Sequence, residues 1–251
     1  LSSLYIQQWR DSKTLFSYVN KVEGESAYAY SQLGGAAILE GDRAGAYSLY
    51  GKALSLNPDY KEALLARARL EMESGAYEKA ALGFQRVSSL DNGDFYALYE
   101  LGLALIRLGN GKEAFFAAQK LDRLTLKSGP VAELARMKAD LWGKVAVETA
   151  KAGDSEGAAV LFGHAISLAP DYAENYYLRG VSKDQSGDLE GAAEDYQKVL
   201  ELSPGDYMAR FNLGAALYRL GERKGAARHF LEFKKMQPAS DMVENFLRDN
   251  P

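Results

Sequence analysis

The side chains best suited to catalysis are few in this chain, and their spacing assembles no reactive centre. There are two histidines, His164 and His229, and no cysteine. Zero cysteines remove a disulfide framework, a thiol nucleophile and any cysteine-ligated zinc. The segment Gly109-Asn110-Gly111-Lys112 invites a phosphate-loop reading, but Ile106 stands where that loop needs its first glycine. Carboxylates are abundant, at 34 Asp and Glu, yet no spacing singles out a buried pair for acid/base work. No catalytic group, metal site or cofactor site is therefore expected, which leaves binding as the chemistry to explain. A net charge of −4 argues against nucleic acid as the partner. No run of about 18 apolar residues is present to cross a membrane. The absence of cysteine fits cytoplasm and periplasm equally. The chain opens without Met and stops at Asn250-Pro251, which reads as a processed or excised fragment.

The pattern that must position any binding residues is a repeat. Gly41, Gly75, Gly109, Gly153, Gly187 and Gly221 are each followed five residues on by Ala46, Ala80, Ala114, Ala158, Ala192 and Ala226. The glycines are spaced 34, 34, 44, 34 and 34 residues apart. A period near 34 predicts an array of helix-turn-helix units. The glycine ends one helix and a short polar residue (Asp42, Asn110, Asp154, Asp188) caps the next. Seven residues before each glycine stands Gly34, Ala68, Gly102, Ala146, Gly180 or Gly214. Glycine inside a helix costs about 1 kcal/mol relative to alanine, so these positions predict close helix–helix approach.

On these residues the chain resembles the tetratricopeptide repeat family. In that family's frame the repeats run 27–60, 61–94, 95–128, 139–172, 173–206 and 207–240. Supporting residues are the early aromatic or large apolar position (Tyr30, Leu64, Leu98, Trp142, Tyr176) and the pairs Leu33-Gly34, Leu101-Gly102 and Leu213-Gly214. The second aromatic (Tyr50, Phe84, Phe162, Tyr196, Phe230) and the closing proline (Pro58, Pro170, Pro204, Pro238) agree in phase. Arg210, Ala118, Asn92 and Leu126 depart from the pattern. The resemblance implies an all-α, right-handed superhelical solenoid of helix-turn-helix repeats. It also puts the two histidines on second helices, which face outward in that family, as surface or packing residues.

Carried across residue by residue, the resemblance places a partner-binding set on the concave face formed by the first helices. The set comprises Tyr28 of repeat one, Arg69 of repeat two, and Tyr96, Tyr99 and Arg107 of repeat three. Lys144 of repeat four, Tyr177 of repeat five, and Phe211, Asn212, Tyr218 and Arg219 of repeat six complete it. Aromatics and arginine are the residue types that dominate interface energetics. The family's clamp for a C-terminal carboxylate is not matched: Ser31, Gly35, Ala66, Tyr96 and Glu100 stand in one triplet of repeats, and Gly143, Val147, Leu178, Met208 and Asn212 in the other.

The organisation expected is one continuous solenoid with covered ends. Residues 1–26 read as an N-terminal capping helix or partial repeat with Leu4, Trp9, Phe16 and Val19 on its apolar side. Residues 27–128 hold repeats one to three, 129–138 an insertion, 139–240 repeats four to six, and 241–251 a C-terminal capping helix. The insertion predicts one long first helix from about 130 to 152, after a second helix extended to about Lys127. Asp241 with Glu244 resembles a capping box. Repeat five carries eight acidic and three basic residues, and repeat six seven basic and two acidic. The function expected is a non-catalytic scaffold or adaptor that holds a peptide or partner protein in the groove. The alternative is a self-assembling unit in which terminal faces or the −5/+5 pair build a homo-oligomer.

Overall fold

The computed structural model describes residues 12–22, 24–125 and 129–250. Among them are fourteen α-helices: α1 Ser12–Val22, α2 Ala27–Leu39, α3 Arg43–Leu56, α4 Lys61–Glu73, α5 Tyr77–Leu90, α6 Phe95–Arg107, α7 Gly111–Asp122, α8 Val131–Lys151, α9 Ser155–Leu168, α10 Ala173–Ser186, α11 Leu189–Leu202, α12 Tyr207–Arg219, α13 Arg223–Met236 and α14 Met242–Asp249. The helices group into two compact units, α1–α7 ending at Leu124 and α8–α14 beginning at Thr125. Within each unit consecutive helices pack against one another as hairpins. The division falls beside the break in the 34-residue period.

The repeat chemistry shows directly in the turns. The six periodic glycines all have φ between 73° and 92°, the left-handed region where a Cβ would be strained. At Gly41 the turn closes with Gly41 N–H donating to Ile38 and Asp42 N–H to Ala37, which satisfies carbonyls at the end of α2. Asp42, Asp154 and Asp188 then accept from the N–H of Gly45, Gly157 and Gly191, capping α3, α9 and α11. Asn110 occupies the equivalent place before α7 but makes no side-chain cap bond.

Five of the six small first-helix positions are sockets for second-helix aromatics, Gly102 facing Ala118 in the pattern instead. A Cβ built on Gly34 would lie 2.7 Å from the Tyr50 ring, one on Gly180 2.9 Å from Tyr196, and one on Gly214 2.8 Å from Phe230. Where alanine holds the position, phenylalanine is the partner: Ala68 clusters with Phe84 and Ala146 with Phe162. Every one of these rings is buried. Each contributes roughly 2–3 kcal/mol of apolar burial, which for Tyr50, Tyr196 and Phe230 outweighs the helix penalty of the facing glycine.

The insertion yields the 21-residue α8, where the ordinary first helices have 13 or 14 residues. Pro130 sits at its N-cap and Gly129 turns the chain into it with φ 87°. The helix before it is shorter than its sequence suggests. It stops at Asp122, because Leu124 N–H bonds back three residues to Leu121 and tightens the last turn; Lys127 lies outside the described residues. At the N-terminal end α1 packs on α2, with Phe16 against the Tyr30–Tyr50 cluster; Leu4 and Trp9 lie outside the described residues. At the other end α14 covers α13, but not through a capping box. Asp241 makes no side-chain cap bond, and Glu244 pairs instead with Lys234 Nζ at 2.9 Å.

Candidate functional site

In the first unit the candidate residues lie on the first helices α2, α4 and α6. Tyr28 leaves 53% of its surface in solvent while its ring meets Phe16 edge-on at 5.4 Å. Arg69 is also half exposed and reaches towards Glu100 on α6, with 4.0 Å between Nε and Oε1. Burial raises the Glu100 carboxyl above its ordinary pKa, and Arg69 opposes that shift. Tyr96 tilts against Phe95 with centroids 4.2 Å apart and remains exposed. Tyr99 is half-buried and Arg107 exposed at the end of α6. Helices α4 and α6 thus share one face through the Arg69–Glu100 approach.

In the second unit the set joins α10 to α12 by two lateral rungs. Asn212 Nδ2 donates to the Tyr177 hydroxyl at 3.2 Å. Two helical turns further along, Arg219 is paired with Asp184. Burial raises the Tyr177 pKa, which the Asn212 donor partly offsets. Lys144, on α8, is engaged by Asp140 one turn earlier on its own helix. Tyr218 carries the Arg223 guanidinium 3.5 Å from its ring centroid and meets Phe246 edge-on at 5.5 Å. Phe211 is half-buried and turned towards the C-terminal cap. Its ring lies 5.3 Å from Phe233, 5.8 Å from Phe230 and 6.0 Å from Phe246, packed against the cluster that seats α14. Sequence spacing could not show this, because Phe246 belongs to the cap and not to a repeat.

Comparison with known proteins fits this architecture. A tetratricopeptide repeat profile matches residues 37–94 and a TPR repeat profile matches residues 185–221. The chain carries tetratricopeptide repeats. Among solved structures, the C-terminal part of a TPR repeat-containing protein from Cytophaga hutchinsonii superposes with TM-score 0.71 at 16% identity, covering 94% of this chain and 93% of that one. YrrB, a TPR protein with an unusual peptide-binding site, gives TM-score 0.61 at 20% identity over 79% of this chain and 97% of its own. PilF of Pseudomonas aeruginosa gives 0.60 at 16% identity, over 89% and 97%. These likenesses are of fold. No curated protein matches the sequence.

The TPR frame leaves two buried ionic clusters unannounced. In the first unit Glu71, 5% exposed, accepts from the Tyr47 hydroxyl at 3.0 Å and from Arg67 Nε at 3.1 Å. Arg67 also lies over the Tyr47 ring at 4.7 Å. In the second unit Asp195, 3% exposed, accepts two bonds from Arg179 at 2.8 and 2.6 Å and pairs with Lys183 at 3.0 Å. The available signal was an arginine directly before a small TPR socket, Arg67-Ala68 and Arg179-Gly180, which places its stem against the neighbouring second helix. These clusters tie first to second helices. The histidines pack: His164 meets Trp142 edge-on at 5.0 Å, and burial beside Arg210 and Arg228 lowers the His229 pKa. Among the described residues no three His, Cys, Asp or Glu side chains are grouped to hold a metal ion, and no helix is long and apolar enough to cross a membrane.

Proposed function

We propose that this chain is a non-catalytic scaffold that binds a protein or peptide segment along the first-helix faces of its repeats. The reading rests on one observation. Tyrosine and arginine side chains stay partly exposed on first helices of both units, and three of them, Arg69, Tyr177 and Arg219, are met laterally by Glu100, Asn212 and Asp184. Side chains already fixed in this way lose little conformational freedom when a ligand arrives, so more of their contact energy appears as affinity. The faces are open surfaces, suited to a helix or extended segment laid across them. The peptide-binding site of YrrB, a protein of like fold, is in keeping with this reading. The binding set proposed is Tyr28, Arg69, Tyr96, Tyr99 and Arg107 in the first unit and Lys144, Tyr177, Asn212, Tyr218 and Arg219 in the second, without cofactor, metal or nucleic acid.

The test is affinity capture from the native source, comparing the wild type with a Tyr28→Ala/Arg69→Ala/Arg107→Ala variant and identifying bound proteins by mass spectrometry. These three positions are exposed enough that circular dichroism is expected to match the wild type. A partner retained by the wild type and lost by the variant supports the first-unit face. Equal capture by both removes it, and recovery of the chain alone transfers the function to self-assembly.

A further inference from the structure

The first unit carries an apolar groove lined by none of the proposed binding residues. A recess of about 430 Å³ lies between α5 and α7, with Leu82, Leu105 and Phe116 among its lining. Leu82 and Phe116 leave 66% and 61% of their surface in solvent. Both occupy the same place in their repeats, 34 residues apart, and Val160 holds that place, again exposed, in the fourth repeat. In the first, fifth and sixth repeats the equivalent residues are Ser48, Glu194 and Arg228. Scattered exposed leucines need no explanation, but large apolar side chains at one register, gathered around a recess, form a patch.

The rim of the recess is charged in a polar order. Glu78 and Glu113 stand in the first turns of α5 and α7, at one end, and Lys120 stands in the last turn of α7, at the other. All three are exposed, and none is held in an ion pair among the described residues. Two helical turns separate Glu113 from Lys120, about 10 Å along the axis.

We propose that this groove binds an amphipathic helix of a partner protein, basic at one end and acidic at the other. Its apolar side chains, one helical turn apart, seat on Leu82, Leu105 and Phe116. Its basic end lies over Glu78 and Glu113, and its acidic end over Lys120. The groove walls are helices whose backbone groups are already bonded internally, and a helical ligand satisfies its own backbone without calling on them. Leu101 and Leu105 of α6 line it together with the second helices, but none of the proposed binding set does, so the inference stands or falls without that reading.

The test pans the full chain against a phage-displayed library of helical peptides about 15 residues long. Selected peptides are expected to carry apolar residues spaced three or four apart with Lys or Arg at one end. Leu82→Gln with Phe116→Gln should weaken their binding about tenfold or more, while Tyr28→Ala with Arg69→Ala leaves it unchanged. Both groove side chains are largely exposed, so the helical circular dichroism should persist. Glu78→Lys with Glu113→Lys should reverse the charge preference of the selected peptides, which a merely structural role for these residues would not do. Selection of no peptide that depends on Leu82 and Phe116 would overturn the proposal. So would sedimentation showing self-association of the wild type that is lost in the Leu82→Gln/Phe116→Gln variant, since that gives the groove to a second copy of the chain.

Discussion

Single residues in this chain are tuned to their partners more tightly than their types suggest. Gly180 is the clearest case. Replacing it with alanine gains about 1 kcal/mol of helix propensity, but the new methyl would sit 2.9 Å from the buried Tyr196 ring. Overpacking of that kind costs about 1–3 kcal/mol. Gly180→Ala is therefore expected to lower stability by about 1 kcal/mol in urea unfolding, against the direction that propensity alone predicts. His229 gives the second test. Its folded pKa is held below 6.5 by burial and by Arg210 and Arg228, so its contribution to stability is present above pH 6.5 and is lost as pH falls below that value. The unfolding midpoint should drop between pH 7 and 5.5, and His229→Gln should flatten that part of the profile. The sockets were legible in the sequence, because glycine and aromatic recur at a fixed separation. The His229 environment was not, because Arg210 comes from another helix and only packing brings it near.

At the scale of helices, the last element decides how the array ends. Helix α14 has eight residues and is too short to persist alone. It is held by Val243 and by the rings of Phe211, Tyr218 and Phe230 around Phe246. Phe246→Ala is expected to lower stability by about 2–3 kcal/mol and to expose the α13 face. The check is urea unfolding together with binding of a hydrophobic dye. An unchanged midpoint would mean that the cap contributes little. Sequence reasoning located this cap from its apolar stripe but misread its attachment. Asp241 and Glu244 have the spacing of a capping box, yet Lys234 competes for Glu244, and that lysine lies outside the local window. The same blindness to non-local partners hid the packing of Phe211 against Phe246. The long α8 was readable because a helical period runs unbroken from Val131 to Lys151.

For the whole molecule, energy is stored locally. Each unit has its own buried clusters, Tyr30–Tyr50 and Ala68–Phe84 in the first, Ala146–Phe162, Ala192–Leu213 and Ala215–Val243 in the second. Nearest-neighbour packing of this kind makes stability roughly a sum over repeats and their interfaces. Residues 1–124 and 125–251, expressed separately, are therefore each expected to be helical, with circular dichroism that adds up to that of the full chain. An unfolded half would contradict this. The ten extra residues in the repeat period were legible but were read within one continuous solenoid, whereas the ionic clusters at Glu71 and Asp195 carried no periodic mark. The socket pairs also bear on how such a chain changes over generations. Gly34 with Tyr50, Gly180 with Tyr196 and Ala68 with Phe84 are matched within a repeat. A recombination event whose breakpoints fall between repeats moves lock and key together and leaves every fit intact. A breakpoint inside a repeat can join an alanine-bearing first helix to a tyrosine-bearing second helix, and the resulting gene encodes a clash. Inheritance of this array should therefore proceed by whole cassettes, copied or deleted, rather than by half-repeats.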